Sequence, residues 1–198
     1  MSWDRRRTPL AFVPLPRMDV FFTIPAAAVL VPAALVLLTV LVVRVRREPG
    51  RYPPARLVLL VLAGGYALGV LYVTLLPIQV GFGRYGFQNE WYADIMPVPL
   101  VTADLRSFSL NVLMMVPFGV LLPLLRPHVR TVRAVAGRAA LTSLAIEVTQ
   151  LLSGWLLDNR HSVDINDVLA NTIGAVLGLL CLRLAHRRWS LTTMHDAP

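Results

Sequence analysis

Two long runs without a charged residue constrain this chain more than any other feature. They cover residues 20–43 and 57–77. A bilayer core about 30 Å thick needs about 20 apolar residues per helix, because lipid offers the backbone no hydrogen-bond partner outside the helix itself. The composition agrees, since 56% of the 198 residues are hydrophobic and 15% are charged, whereas soluble domains carry about 25% charged residues. The chain is therefore predicted to be an integral membrane protein and not a soluble enzyme.

Three further apolar runs pass the same length test with polar interruptions, at residues 108–125, 139–157 and 163–182. The sequence thus predicts an all-α, polytopic transmembrane helix bundle with five spans. The predicted division is an N-terminal tail at 1–19, an additional helix at 20–43, a four-helix unit at 57–185 and a C-terminal tail at 186–198.

Arginines predict the orientation of the bundle. All 19 basic residues are arginines, and they punctuate the apolar runs instead of lining a polar face, which argues against nucleic-acid binding. With the N-terminus outside, the cytoplasmic loops and tail receive twelve of them: Arg44, Arg46, Arg47, Arg51, Arg56, Arg126, Arg130, Arg133, Arg138, Arg183, Arg187 and Arg188. Because cytoplasmic loops carry an excess of Arg, we expect a multi-pass protein of the cell membrane with a cytoplasmic C-terminus.

Polar residues on the predicted fourth and fifth helices recur at helical spacing. They fall at i, i+4 and i+7 on the fourth helix and at i, i+3 and i+7 on the fifth, so each set shares one face. The two sets are Ser143, Glu147 and Gln150, and Asp164, Asp167 and Asn171. Asn111 opens the third helix, and antiparallel neighbours bring all three sets to the same side of the membrane. With the orientation above, that side is the outer one.

These residues predict one outward-facing polar pocket, with Arg160 contributed by the loop between the fourth and fifth helices. The predicted ligand-binding residues are Asn111, Glu147, Gln150, Arg160, Asp164, Asp167 and Asn171. An ionisable residue inside a span costs about 2.5 to 3.5 kcal/mol and usually marks function. Structural alternatives stay open, since the two aspartates can cap a helix start and the amides can join helices by hydrogen bonds.

Small residues predict where helices approach each other closely. They are Gly65 and Gly69 on the second helix and Ala170, Gly174 and Gly178 on the fifth. The single cysteine, Cys181, excludes an internal disulfide and a cysteine zinc site. We expect no cofactor and no metal, although Glu147, Asp164 and Asp167 are oxygen ligands of the kind Mg²⁺ takes.

Four separated motifs resemble the VanZ-like family of bacterial membrane proteins. They are Asn111-Val-Leu-Met-Met-Val-Pro-Phe-Gly-Val-Leu-Leu-Pro123, Glu147-Val-Thr-Gln150, Arg160, and the stretch from Asp164-Ile-Asn-Asp167 through Gly178. The family's element before the third helix reads Asp94-Ile-Met-Pro97-Val here, which departs from its usual Asn-Leu-Ile-Pro-Phe pattern. The resemblance assigns residues 57–185 to a VanZ-like domain. It implies an envelope role, because the family's named member is associated with reduced susceptibility to the glycopeptide teicoplanin, but it implies no reaction.

Two functions are compatible with the sequence. The first is a non-enzymatic envelope protein, with membrane lipids and a lipid-linked sugar or lipoglycopeptide as partners, held by hydrogen bonds in the pocket. The alternative is an intramembrane enzyme that acts on a lipid-linked envelope precursor, with Glu147 or Asp167 as general acid or base and Arg160 steadying a phosphate. The first is favoured because no nucleophile motif surrounds Ser153 and no second cysteine exists.

Overall fold

Five helices carry the fold in the computed structural model, which describes residues 19–83, 95–96, 104–157 and 163–195. Each is long and apolar enough to cross a membrane. They are α1 (Ala26–Arg47), α2 (Pro54–Leu75), α3 (Leu105–Leu125), α4 (Val132–Leu157) and α5 (Ile165–His195). The predicted all-α fold class with five spans is confirmed.

Two small sheets were not predicted. In the first, β1 (Val20–Ile24) pairs antiparallel with β2 (Ile78–Phe82). In the second, β3 (Ile95–Met96) pairs in parallel with β4 (Val163–Asp164). Each sheet joins segments far apart in the sequence, so no local pattern indicates the pairing.

The predicted start of the first helix at residue 20 is wrong, because residues 20–24 form β1. Pro25 precedes α1 in an extended conformation, and the residue before a proline is disfavoured in the helical region. The sequence Val-Phe-Phe-Thr-Ile also consists of residue types that favour strands. Proline sets the end of α2 in the same way, since Leu76 before Pro77 is extended.

Two helix ends extend furthest beyond their predicted limits. Helix α4 begins at Val132 and not at residue 139, because its first two turns contain Arg133 and Arg138, which form helices well but lower the hydropathy. Helix α5 continues to His195, through most of the predicted tail at 186–198. Neither proline nor glycine occurs between Leu179 and His195, so no residue there stops the helix.

The pairing of β1 with β2 places the start of α1 beside the end of α2, and β2 and β4 both contact α4. All four strands therefore lie at one end of the bundle, which we call the strand end. The opposite end, which we call the arginine end, contains the loops after α1 and α3 and the last turns of α5. The arginine end carries the twelve arginines named above that the orientation prediction assigned to the cytoplasm.

Helices α3 and α5 share the most extensive contact between helices, and glycines make it possible. A Cβ atom added at Gly119 would overlap the backbone carbonyl of Ala175, and one at Gly174 would overlap that of Val112. Gly178 faces α3 in the same way. The two backbones thus touch directly, which is how small residues join membrane helices.

The other three predicted packing positions differ from one another in whether they are buried against a neighbouring helix. Ala170 is completely buried in α5. At Gly65 and Gly69 of α2, by contrast, nothing lies within 4 Å of an added Cβ atom. No described helix packs against these two glycines, so close packing at this pair stays a prediction.

Candidate functional site

One face of α4 is buried from Val135 to Glu147, about the first two thirds of the helix. Its buried residues are Val135, Ala139, Ser143 and Glu147, each one turn beyond the last. This stripe faces α5, with which α4 makes its largest contact. Glu147 is only 3% exposed. Helix α4 continues beyond it to Leu157, about 15 Å further, so the carboxylate lies inside the bundle and not at its tip.

The start of α5 meets this carboxylate. The backbone N–H of Asp164 donates to Oε2 of Glu147 at 3.2 Å. Asp164 in turn accepts, through Oδ1, from the backbone N–H of Asn166 at 2.9 Å and from its side-chain amide at 2.8 Å. Asp164 therefore caps α5, and the interpretation of this residue as a helix start is confirmed. A carboxylate beside a helix N-terminus is also favoured by the helix dipole.

Asp167 connects all three helices of the site. It lies in the first turn of α5, and its carboxylate lies close enough to the Asn111 side chain of α3 and to Glu147 to interact with both electrostatically. The structure thus brings Asn111, Glu147 and Asp167 together from three helices, as the spacing of the sequence predicted.

A neutral pair lies one turn deeper. The side-chain amide of Asn171 donates to Oγ of Ser143 at 2.7 Å, and both residues are at least 98% buried. This bond fits the interpretation of Asn171 as an interhelical link. It uses only half of the amide, however, because Oδ1 of Asn171 is buried and has no hydrogen-bond partner among the described residues.

Gln150 joins α4 to α2. Its Nε2 donates to the backbone carbonyl of Thr74 at 2.8 Å, while its buried Oε1 has no hydrogen-bond partner in the described part of the chain. Sequence reasoning missed this contact because a backbone acceptor leaves no side-chain signal. It also missed Tyr66, whose hydroxyl donates to the carbonyl of Met114 at 3.0 Å and joins α2 to α3.

We call these side chains the polar cluster. Its members are Asn111, Ser143, Glu147, Gln150, Asp164, Asn166, Asp167 and Asn171. Asn166 was not among the predicted site residues, yet it is 2% exposed. Arg160 and the motif around Asp94 lie outside the described residues. Within the described ranges, no arginine or histidine forms an ion pair with a carboxylate of the cluster.

The cluster is rich in acceptors. Three carboxylates and two unpartnered amide oxygens suit a ligand that offers hydroxyl, amide or ammonium hydrogens. In residues 19–83, 95–96, 104–157 and 163–195, no group of three or more His, Cys, Asp and Glu side chains has a geometry that could hold a metal ion. Cys181 is exposed and a free thiol.

Fold and cluster together define a multi-pass membrane protein with a partly buried polar cluster between three of the five described helices. The model of the VanZ/LLP1 family matches residues 63–186, more than half of the chain, and the chain belongs to this family. The match runs from α2 to α5 and includes every residue of the polar cluster, whereas α1 precedes it. No curated protein and no solved structure matches the chain.

Proposed function

We propose that this chain is a non-enzymatic protein of the cell envelope whose polar cluster binds the sugar or headgroup of a lipid-linked or lipid-tailed ligand. The observation that carries the proposal is the pair of buried acceptors without a described partner, Oε1 of Gln150 and Oδ1 of Asn171. A buried acceptor left unsatisfied costs about 1 to 3 kcal/mol. A ligand that donates hydrogen bonds to these atoms recovers that free energy, which favours binding over a closed structural cluster.

The surroundings of the cluster suit an amphiphilic ligand. Met114 and Phe118 on α3 are partly buried beside the apolar core, one to two turns from Asn111 along the helix. Binding sites for small molecules commonly combine apolar walls with a few converging polar groups. In this proposal the polar cluster holds the polar part of the ligand, and the apolar residues and surrounding lipid hold its chain.

The proposed orientation places the strand end outside. The twelve arginines of the opposite end favour a cytoplasmic location for that end. The polar cluster then opens toward the outer leaflet, where lipid-linked wall intermediates and lipid-tailed glycopeptides occur. Capture of such molecules is the proposed basis of reduced susceptibility to glycopeptides of the teicoplanin type.

The proposal is tested with Glu147→Ala and Asp167→Ala in a susceptible bacterial host that expresses the full chain. The wild type should raise the inhibitory concentration of teicoplanin, and each variant should abolish that rise at an equal amount of protein in the membrane. Binding of fluorescent teicoplanin and of an undecaprenyl-linked disaccharide to purified protein provides the direct measurement.

Thr149→Val is the matched control, because Thr149 lies on the exposed side of α4 and its hydroxyl bonds only to Ala145 of its own helix. The control should behave like the wild type in both assays. Unchanged susceptibility and unchanged binding of both probes in the two cluster variants would reject the ligand site.

An enzymatic function is the second candidate, and the proximity of Glu147 and Asp167 favours it. Two carboxylates in different environments can divide the roles of general acid and base. Incubation of purified protein with the undecaprenyl-linked disaccharide distinguishes the candidates. Turnover that Glu147→Gln removes would establish the enzyme, and stoichiometric binding without a product supports the binding protein.

A further inference from the structure

A concave surface lies at the arginine end of the bundle. It is a cavity of about 540 Å³ between the last turns of α1 and the loop that follows. Val40 and Val43 form its apolar part, and Arg44, Arg47 and Arg51 its charged part. The volume lies within the range of about 300 to 1,000 Å³ that is typical of small-molecule pockets.

The charges of this cavity are unbalanced. Glu48 is the only acid among the described residues that line it, and it forms an ion pair with Arg51. The hydrogen bond from Arg51 to Glu48 raises the pKa of the Arg51 guanidinium, which stays charged. Arg44 and Arg47 form no ion pair with any described residue. The cavity therefore carries two positive charges that the described part of the chain does not neutralise.

The length of α1 determines where the cavity lies relative to the membrane. Its 22 residues extend over about 33 Å, close to the thickness of about 30 Å of the hydrocarbon core. The last turn, with Arg44 and Arg47, therefore reaches the level of the lipid phosphates. Tyr52, which also lines the cavity, has the guanidinium of Arg56 at 5.6 Å from its ring centroid, and tyrosine is typical of this interfacial layer.

We propose that this cavity binds the phosphodiester headgroup of an anionic glycerophospholipid. The guanidinium forks of Arg44 and Arg47 match the oxygens of a phosphate, and the two valines contact the first carbons of the acyl chains. Basic pockets at the ends of membrane helices bind such headgroups. The site lies on α1 and its loop, outside the residues that match the family, and it does not depend on the function of the polar cluster.

The full chain, purified in mild detergent, is titrated with phosphatidylglycerol and with phosphatidylcholine, and bound lipid is counted by native mass spectrometry. Arg44→Gln/Arg47→Gln should weaken phosphatidylglycerol binding about 30-fold, since each arginine near the headgroup contributes about a fivefold change. The matched control, Arg126→Gln/Arg130→Gln, removes the same charge from exposed residues of the same end. It should bind like the wild type.

Two further variants keep the test informative if the double glutamine variant does not fold. Glu48→Gln removes the only acid among the described residues that line the cavity and should strengthen phosphatidylglycerol binding about fivefold. Arg44→Lys/Arg47→Lys keeps the charge but removes the guanidinium forks, and it should bind phosphatidylglycerol more weakly than the wild type and more strongly than the double glutamine variant.

Three outcomes would overturn the proposal. An equal loss in both glutamine pairs would mean general attraction to the arginine end. Equal binding of the two lipids by the wild type would exclude a headgroup site. Displacement of the lipid by inorganic phosphate at a similar concentration would identify a site for a soluble anion instead.

Discussion

The two halves of this helix bundle differ in how they are held together. Helices α3, α4 and α5 bury a continuous stripe of residues and enclose the polar cluster. Helices α1 and α2 contain no buried residue at all, and their large side chains face the surroundings of the bundle. The contrast shows that crossing a membrane requires only apolar length, whereas close packing requires small residues and specific hydrogen bonds.

The family match follows the same division in part. It covers all of α3, α4 and the membrane-spanning part of α5 with most of α2, and it omits α1. Helix α2 occupies an intermediate position, because it exposes most of its surface but forms hydrogen bonds with α3 at Tyr66 and with α4 at Thr74. The following predictions test this division.

The largest effect is expected at the glycines of α5. Gly174→Ala and Gly178→Ala should each lower the free energy of unfolding by about 1 to 3 kcal/mol, because the added methyl group forces the α3 and α5 backbones apart. Gly65→Ala and Gly69→Ala in α2 are the matched controls, and they should be neutral or stabilise by up to about 1 kcal/mol. Reversible unfolding in mixed detergent micelles measures both, and equal losses in the two helices would refute the division.

The buried hydrogen bond between Ser143 of α4 and Asn171 of α5 should contribute less to the free energy of unfolding. A double-mutant cycle of Ser143→Ala and Asn171→Ala is expected to give a coupling free energy of about 0.6 to 1.7 kcal/mol, the range of hydrogen bonds between membrane helices. The same unfolding assay provides the four values. A coupling close to zero would mean that this bond does not hold the helices together and that both side chains serve another purpose.

The hydrogen bond that links α2 to α3 should contribute even less to stability. Tyr66→Phe removes only the hydroxyl that bonds to Met114 and should cost about 0.6 kcal/mol. Tyr72→Phe is its control, because Tyr72 is exposed on the same helix, and it should leave stability unchanged. A much larger loss of unfolding free energy in Tyr66→Phe would show that α2 is packed as closely as α3, α4 and α5.

The smallest effect is expected in α1. Leu35→Ala and Leu38→Ala change side chains that are 58% and 57% exposed, and each should alter stability by less than about 0.5 kcal/mol, because lipid fills the space of the missing atoms. A loss above about 1 kcal/mol that depends on protein concentration would show that α1 packs against a second copy of the chain.

The sequence predicts local periodicity well and long-range pairing poorly. The five spans follow from hydropathy, and the convergence of Asn111, Glu147 and Asp167 follows from helical spacing combined with antiparallel neighbours. The pairing of β1 with β2 could not be predicted, since it joins segments more than 50 residues apart. The contact from Gln150 to Thr74 could not be predicted for a different reason, because it ends on a backbone carbonyl that any residue would offer.

The small residues illustrate the same limit. Gly69 and Gly174 both recur at the spacing that permits close approach of helices, but only Gly174 meets a neighbouring backbone. The spacing of glycines indicates which face of a helix lacks large side chains. Whether a partner helix packs against that face depends on the arrangement of the whole bundle.

The central claim is that the polar cluster binds a ligand and is not merely a structural link. A density map of the full chain extracted together with its native lipids tests this claim most directly. The account predicts a sugar or headgroup beside Glu147, within hydrogen-bonding distance of Gln150 or Asn171. A cluster whose oxygens are all satisfied by protein groups, with no density beside Glu147, would contradict it.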